Sequence, residues 1–165
     1  MAPDEWLCPG DVTWNGNKYS AWGGYNKTVS GIKTTNSSSD AITDFAGSSN
    51  TDQIISQLKG TTDSYSSYYT GAPAAEYCRA YSKGCKGVGE WYLPSVGEMN
   101  ILATNKDAIN EALTKISGKS LGLNLYIWTS TQYSSWYAWR YNWSNEIFDN
   151  IGKASGNTVR PICQL

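Results

Sequence analysis

The chain has 165 residues, 40% hydrophobic and 16% charged, with Lys+Arg 13 against Asp+Glu 14 for a net charge of -1. That length suits one ordinary domain, residues 1–165, burying roughly 70% of its unfolded surface, and its apolar and aromatic content excludes a disordered chain. The balanced charge, without a basic run, excludes the footprint of a nucleic-acid binder, and no apolar run is long enough to span a bilayer, so neither nucleic acid nor direct membrane insertion is expected.

In chain order, Trp6 to Tyr25 sets Val12, Trp14, Tyr19 and Trp22 among Gly and Asn, which predicts one or two short strands with tight turns. Gly31 to Asn50 is dominated by Ser, Thr, Asn and Asp and reads as a surface loop. Asp52 to Leu58 places Ile54, Ile55 and Leu58 on one face before Gly60, a short helix. Ser64 to Gly71, with Tyr65, Tyr68 and Tyr69, reads as a loop. Pro73 opens a helix that brings Tyr77, Cys78 and Tyr81 to one side and ends at Gly84.

Glu90 to Ser95 is a short extended segment halted by Pro94. Ser95 and Glu98 then form an S-x-x-E capping box, in which each side chain satisfies a free backbone donor at a helix start; that helix buries Met99 and Leu102. A second helix, Lys106 to Ser117, aligns Ile109, Leu113 and Ile116 and is closed by Gly118. From Leu123 the helical period vanishes, and strands are expected over Leu125 to Thr131, Tyr137 to Trp143, Glu146 to Phe148 and Thr158 to Gln164. Strands, then helices, then strands define an α+β domain.

The segment Tyr126 to Lys153 concentrates Trp128, Trp136, Trp139 and Trp143 with Tyr126, Tyr133, Tyr137 and Tyr141 among Ser and Asn. Large rigid amphipathic rings beside short hydrogen-bonding groups are the composition of a recognition surface.

The N-terminus lacks the regions of a signal peptide, so the protein is cytoplasmic when made or the start of a longer chain has been removed. The four cysteines, Cys8, Cys78, Cys85 and Cys163, are compatible with two disulfides in an oxidising compartment. The preferred pairing is Cys78 with Cys85 and Cys8 with Cys163; buried reduced thiols are the other reading. Zinc has no support, since there is no His and no CxxC spacing.

Without His, the usual Ser-His-Asp and Cys-His arrangements are excluded, and no phosphate-binding glycine motif occurs. Asp40 with Asp44, or Asp149 with Asn150, lack calcium-loop spacing and read as solvated loop groups. A glycosidase needs only two carboxylates beside an aromatic platform, which Glu146 and Asp149 would supply, so a glycoside-active enzyme is kept as an alternative to binding. No cofactor and no metal is expected.

Three motifs follow one another: Trp91-Tyr92-Leu93-Pro94-Ser95 with Glu98, then Trp128-Thr129-Ser130-Thr131, then Val159-Arg160-Pro161. Together they resemble a bacterial domain family, marked by W-x-L-P-[ST]-x-x-E, W-[TS]-S-[TS] and V-R-P segments, that is similar to the C-type lectin fold and widespread in secreted and surface proteins of gut bacteria and their phages. The resemblance covers about Ala74 to Leu165 and implies a C-type lectin-like fold: a short twisted antiparallel sheet, two to four helices and long loops. As scaffold, Pro94 and the capping box fix a strand-to-helix junction, and Arg160 can anchor a loop carbonyl or carboxylate.

The segment from Trp128 to Asn145, with Lys153 and Val159-Arg160-Pro161, further resembles the variable region of proteins diversified by retroelements. That resemblance makes 124–165 a candidate variable ligand-binding region. It places Trp136, Tyr137, Arg140, Tyr141, Ser144, Asp149, Asn150, Ile151 and Gly152 at variable, ligand-binding positions, with Ala154 to Asn157 further out. Trp128, Ala138, Trp139, Asn142, Trp143, Lys153 and Arg160 fall on scaffold positions. Glu146 and Ile147 stand where the pattern carries Gly-Asn. The residues themselves divide the same way: Trp136, Tyr137 and Tyr141 read as exposed, with Arg140 as a binding hot spot, and Trp128, Trp139 and Trp143 read as core.

The expected function is non-catalytic recognition of a protein or glycan on a cell surface by an extracellular, surface or phage-borne domain. No metal is expected to bridge the ligand, because the Glu-Pro-Asn and Trp-Asn-Asp calcium motifs of sugar-binding animal lectins are missing. A surface adhesin or structural subunit without diversification is the first alternative.

Overall fold

The computed structural model describes residues 1–2, 13–14, 17–18, 20–62, 69–82, 86–122 and 126–164, with the backbone alone for 13–14 and 17–18. The described elements run β1 (Thr13–Trp14), β2 (Asn17–Lys18), β3 (Ser20–Ala21), α1 (Ser38–Ala41), α2 (Gly47–Leu58), α3 (Pro73–Ala80), β4 (Trp91–Tyr92), α4 (Val96–Thr104), α5 (Lys106–Lys115), β5 (Tyr126–Gln132), β6 (Tyr137–Asn142), β7 (Ile147–Gly152), β8 (Gly156–Asn157) and β9 (Ile162–Cys163). The class is α+β, with small antiparallel sheets. The helices among the described residues number five rather than two to four, although α1 is a single turn of four residues.

Beyond the expected Asp52 start, α2 begins at Gly47, inside the stretch expected to be surface loop. Two of its polar side chains point inward and tie it down, while most of the others face solvent. Asp44 and Asn50 are buried, and Asp44 accepts hydrogen bonds from the Asn50 amide at 2.9 Å and the Thr131 hydroxyl at 2.7 Å. The Asp44 carbonyl accepts from Ser95 Oγ at 2.7 Å and Gly97 N at 2.9 Å, which docks the stretch onto the start of α4. A side chain at Gly47 would collide with the Glu98 carboxylate, and one at Gly97 with the Asp44 and Ile42 carbonyls, so both glycines permit this close approach. Asp44 is thus a buried, hydrogen-bonded group and not a solvated loop carboxylate; Asp40, held below its ordinary pKa first by the hydrogen bond from Lys33, is the exposed one.

Both sides of the capping box form: Glu98 N donates to Ser95 Oγ at 3.5 Å, and Ser95 N donates to the Glu98 carboxylate at 2.8 Å. Met99 is buried behind it. α5 stops at Lys115, earlier than expected. The left-handed residue is Ser117 (φ 54), one position before Gly118, whose N–H reaches the Leu113 carbonyl at 2.8 Å. The chain therefore turns while Ile116 is still outside, and Ile116 is exposed where a buried helix face was expected.

The organising sheet is β5-β6-β7, antiparallel, with Trp128, Arg140 and Asp149 in one cross-strand row. Between Trp128 and Gln132 the β5 register slips against β6, an irregularity that re-aims the strand. One face packs Trp128 and Ala138 against Trp22, Val29, Ile54, Leu58 and Leu93. On the other, Ile127, Tyr141 and Trp143 pack on Met99, and Trp139 packs on Ala41 and Val96. β9 pairs with β4 and β8 with β3, so the C-terminal segment is stitched to both the third strand and the strand before α4. Cys8 and Cys85, one member of each preferred disulfide, and Tyr65 and Tyr68 lie outside the described residues.

Candidate ligand-binding surface

The motif residues build the frame. Trp128, Thr129, Ser130 and Thr131 are fully buried. Trp128 Nε1 donates to the Ser20 carbonyl at 2.7 Å, and Thr129 Oγ1 donates to the Trp139 carbonyl at 2.8 Å. Thr131 Oγ1, besides donating to Asp44, accepts from Val96 N at 2.9 Å, joining the strand to the first turn of α4. Arg160, buried, donates to the Ala2 and Lys119 carbonyls, each at 2.9 Å, the loop anchoring expected of it. Ala138, Trp139, Asn142, Trp143 and Lys153 are buried as well.

Lys153, expected at a scaffold position, is a fully buried ammonium within that frame. Its Nζ donates to the Lys27 carbonyl and to Gln132 Oε1, each at 2.6 Å, and stands 4.6 Å from the centre of the Trp22 ring. Burial pushes its pKa down to about 7.

On this frame Trp136, the last residue of the loop between β5 and β6, and Tyr137, the first residue of β6, are 41% and 43% exposed. The loop is tied down rather than loose. Ser134 Oγ accepts from Trp136 N and Tyr137 N, each at 3.2 Å; the Tyr137 carbonyl accepts from Tyr133 N; and the Trp136 carbonyl accepts from Lys153 N at 2.9 Å. Trp136 rests edge-to-face on Tyr25 with ring centres 4.9 Å apart, and Tyr137 on Tyr133 at 6.2 Å. Beneath them Tyr133 meets Trp139, whose Nε1 is spent on the Thr35 carbonyl. Two large rings are thus displayed in fixed orientations, an arrangement that loses little entropy on binding. Tyr25 joins this surface although it lies more than a hundred residues away in sequence; its only signal was an aromatic residue beside the turn at Asn26, which takes φ 63.

The remaining expected binding residues do not share that tip. Arg140 and Tyr141 are consecutive on β6 and point to opposite faces of the sheet. Tyr141 is 5% exposed, edge-to-face with Trp143 and Phe148 at 4.6 and 4.9 Å, so its expected exposure is corrected: the strand alternation turns it into the core. Arg140 is no open hot spot. Its guanidinium donates to both carboxylate oxygens of Asp149, at 2.5 and 3.2 Å, and to Asn157 Oδ1 at 3.1 Å, and lies 3.8 Å above the Tyr126 ring.

Ser144 is exposed on the turn at the far end of the hairpin. Asn150, Ile151 and Gly152 are half-buried on β7, with Ile151 leaning on the core and Gly152 directly across from Tyr137. The two carboxylates weighed for glycoside chemistry have other partners: Asp149 is held by Arg140, and Glu146 by Lys106 at 3.6 Å.

No family model matches this chain, and no curated protein matches it. A solved fimbrial protein shares its fold. That protein, from Bacteroides ovatus ATCC 8483, is 19% identical with a TM-score of 0.52, over 94% of this chain and 32% of its own. The chain spans about a third of the fimbrial protein's length, and at this identity the likeness is one of fold. Among the described residues, no helix is long and apolar enough to cross a membrane.

Proposed function

We propose that this chain is a non-catalytic recognition domain with a C-type lectin-like fold, which binds a protein or glycan on a cell surface through the rigid aromatic tip at Trp136 and Tyr137. The observation that carries this reading is the contrast along one ribbon. Trp128, Trp139, Trp143 and Tyr141 are buried, while Trp136 and Tyr137 stand out at the junction of the β5–β6 loop with β6, braced by Ser134, Tyr133 and Tyr25. Exposed, immobilised Trp and Tyr are the residues from which binding hot spots are built. No metal bridge to the ligand and no cofactor is part of this reading.

The proposed membership of the W-x-L-P and V-R-P family, and of retroelement-diversified variable proteins within it, draws support from the buried frame: Trp128, Ala138, Trp139, Asn142, Trp143, Lys153 and Arg160 are all enclosed. Trp136 and Tyr137 stand outside it, whereas Ser144 touches it through its hydroxyl, which donates to Asn142 Oδ1 at 2.6 Å. Tyr141 and Arg140, each built into packing or ion pairing, limit the free set to fewer positions than the resemblance implies. A near-copy of the final codons, differing where its template has adenine and lying beside a reverse transcriptase, is the expected genomic finding; its absence would remove the diversification part.

A structural or adhesive subunit of a surface appendage is the second reading, favoured by the fold shared with the fimbrial protein. Sedimentation separates the two: concentration-dependent self-association abolished by Trp136→Ala with Tyr137→Ala supports the subunit, whereas a monomer that binds a foreign glycan or protein supports recognition.

A further inference from the structure

The two edges of the β5-β6-β7 sheet differ in what covers them. On β5 the outward backbone groups are taken: Trp128 N donates to the Thr158 carbonyl at 3.0 Å, Ser130 N to the Pro94 carbonyl at 2.7 Å and Gln132 N to the Lys33 carbonyl at 3.0 Å. β7 is the opposite edge, and its register with β6 runs unbroken from Ile147 to Gly152. Lys153 N, one residue further on, donates to the Trp136 carbonyl. The alternation of an antiparallel ladder then turns the backbone groups of Ile147, Asp149 and Ile151 toward β6, and those of Phe148 and Asn150 outward. Among the described residues nothing bonds to these outward groups, and every residue of β7 is at least partly exposed.

An open edge is a template for another strand, and folded proteins ordinarily guard it with Lys, Pro or a bulge. β7, Ile-Phe-Asp-Asn-Ile-Gly, has none of these. Its one charge is paired, because Asp149 accepts from Nε and Nη2 of Arg140. Ile147, at the end away from the aromatic tip, is 50% exposed.

We propose that β7 pairs with β7 of a second copy of this chain, antiparallel about a two-fold axis at Asp149, so that the two three-stranded sheets become one. In that register Phe148 lies opposite Asn150 of the second copy, and the free N–H groups of each strand meet the free carbonyls of the other. An axis at Asn150 would instead send Phe148 N to the Gly152 carbonyl, which Ser155 N already occupies at 2.8 Å. Ile147, Asp149 and Ile151 share a face, so the exposed Ile147 of each copy is covered by Ile151 of the other. The two Asp149 carboxylates face each other, each held by its own Arg140, in a row of no net charge. A strand from another protein would gain the backbone bonds alone; the Ile147–Ile151 match, made twice by the symmetry, favours a second copy. The axis sends the two aromatic tips to opposite ends of the joined sheet, and the pairing does not depend on the function proposed for them.

The test is sedimentation equilibrium of the whole chain from about 10 µM to about 1 mM, with amide hydrogen exchange followed over the same range. The native chain is expected to dimerise, and the Phe148 and Asn150 amides to gain protection as the dimer fills. Asn150→Pro removes an outward N–H without touching the β6 ladder and is expected to weaken association about tenfold or more. Ile147→Lys, a change at an exposed position that leaves the fold intact, is expected to weaken it about tenfold and carries the test should the proline variant melt early. Trp136→Ala with Tyr137→Ala is expected to dimerise as the native chain does, which separates this contact from one made by the tip. A chain still monomeric at about 1 mM would overturn the proposal and leave the edge to a strand of another protein. Full-strength dimers of Ile147→Lys, unprotected Phe148 and Asn150 amides in the dimer, or loss of the dimer in the tip variant would overturn it as well.

Discussion

Arg140 and Asp149 face each other across β6 and β7, with the guanidinium donating to both carboxylate oxygens and a third bond going to Asn157. Both side chains are largely enclosed, at 13% and 31% exposure, so the pair is part of the sheet's structure and not a surface ornament. Asp149→Ala strands a guanidinium above Tyr126 with one acceptor left. It is expected to destabilise by about 1–3 kcal/mol. A double-mutant cycle with Arg140→Ala in chemical denaturation checks this; a coupling near zero would mean that the pair contributes nothing.

Thr131 and Asp44 form the junction between β5 and the start of α4. Thr131→Val keeps the shape, removes the donor to Asp44 and leaves Val96 N without its acceptor. A loss of about 2 kcal/mol is expected from two unmade buried hydrogen bonds, read as a lower denaturation midpoint at unchanged slope.

This junction also shows what the sequence could and could not disclose. The capping box and the Trp-Thr-Ser-Thr strand were legible because local spacing encodes them. Asp44 and Asn50 were not, since a polar run looks the same whether its side chains meet water or, as here, a hydroxyl about ninety residues away. The candidate site divided likewise. Trp136 and Tyr137 were read correctly as exposed and Trp128, Trp139 and Trp143 as core, whereas Tyr141 was misread because side-chain alternation along β6, once its register is set, turns it inward. Composition cannot set a register.

Lys153 makes stability depend on pH in an unusual direction. Its folded pKa is about 7 against an ordinary 10.5, so between those values the unfolded chain holds a proton that the folded chain has released. On this group's account, stability rises with pH across that window, while below about pH 7 the full penalty of burying the charge is present. Lys153→Met is expected to flatten the rise between about pH 7 and 10, measured as denaturation midpoints along a pH series. An unaltered slope in the variant would show that Lys153 keeps its proton in the fold.

Glu146 holds φ 56 without being glycine. Glu146→Gly is expected to stabilise by about 0.5–1 kcal/mol, because the strain of a side chain in the left-handed region exceeds the small contribution of an exposed pair with Lys106. Thermal unfolding reads this as a melting temperature a few degrees higher.

The central claim is that Trp136 and Tyr137 bind a ligand from a rigid frame that does not need them. The direct measurement sets the native chain and its Trp136→Ala/Tyr137→Ala variant side by side on glycan and surface-protein arrays, with melting temperature recorded for both. The account predicts a specific ligand for the native chain, a loss of affinity of about a hundredfold or more in the variant, and little change in melting temperature. Retained binding in the variant, or its unfolding, would contradict it.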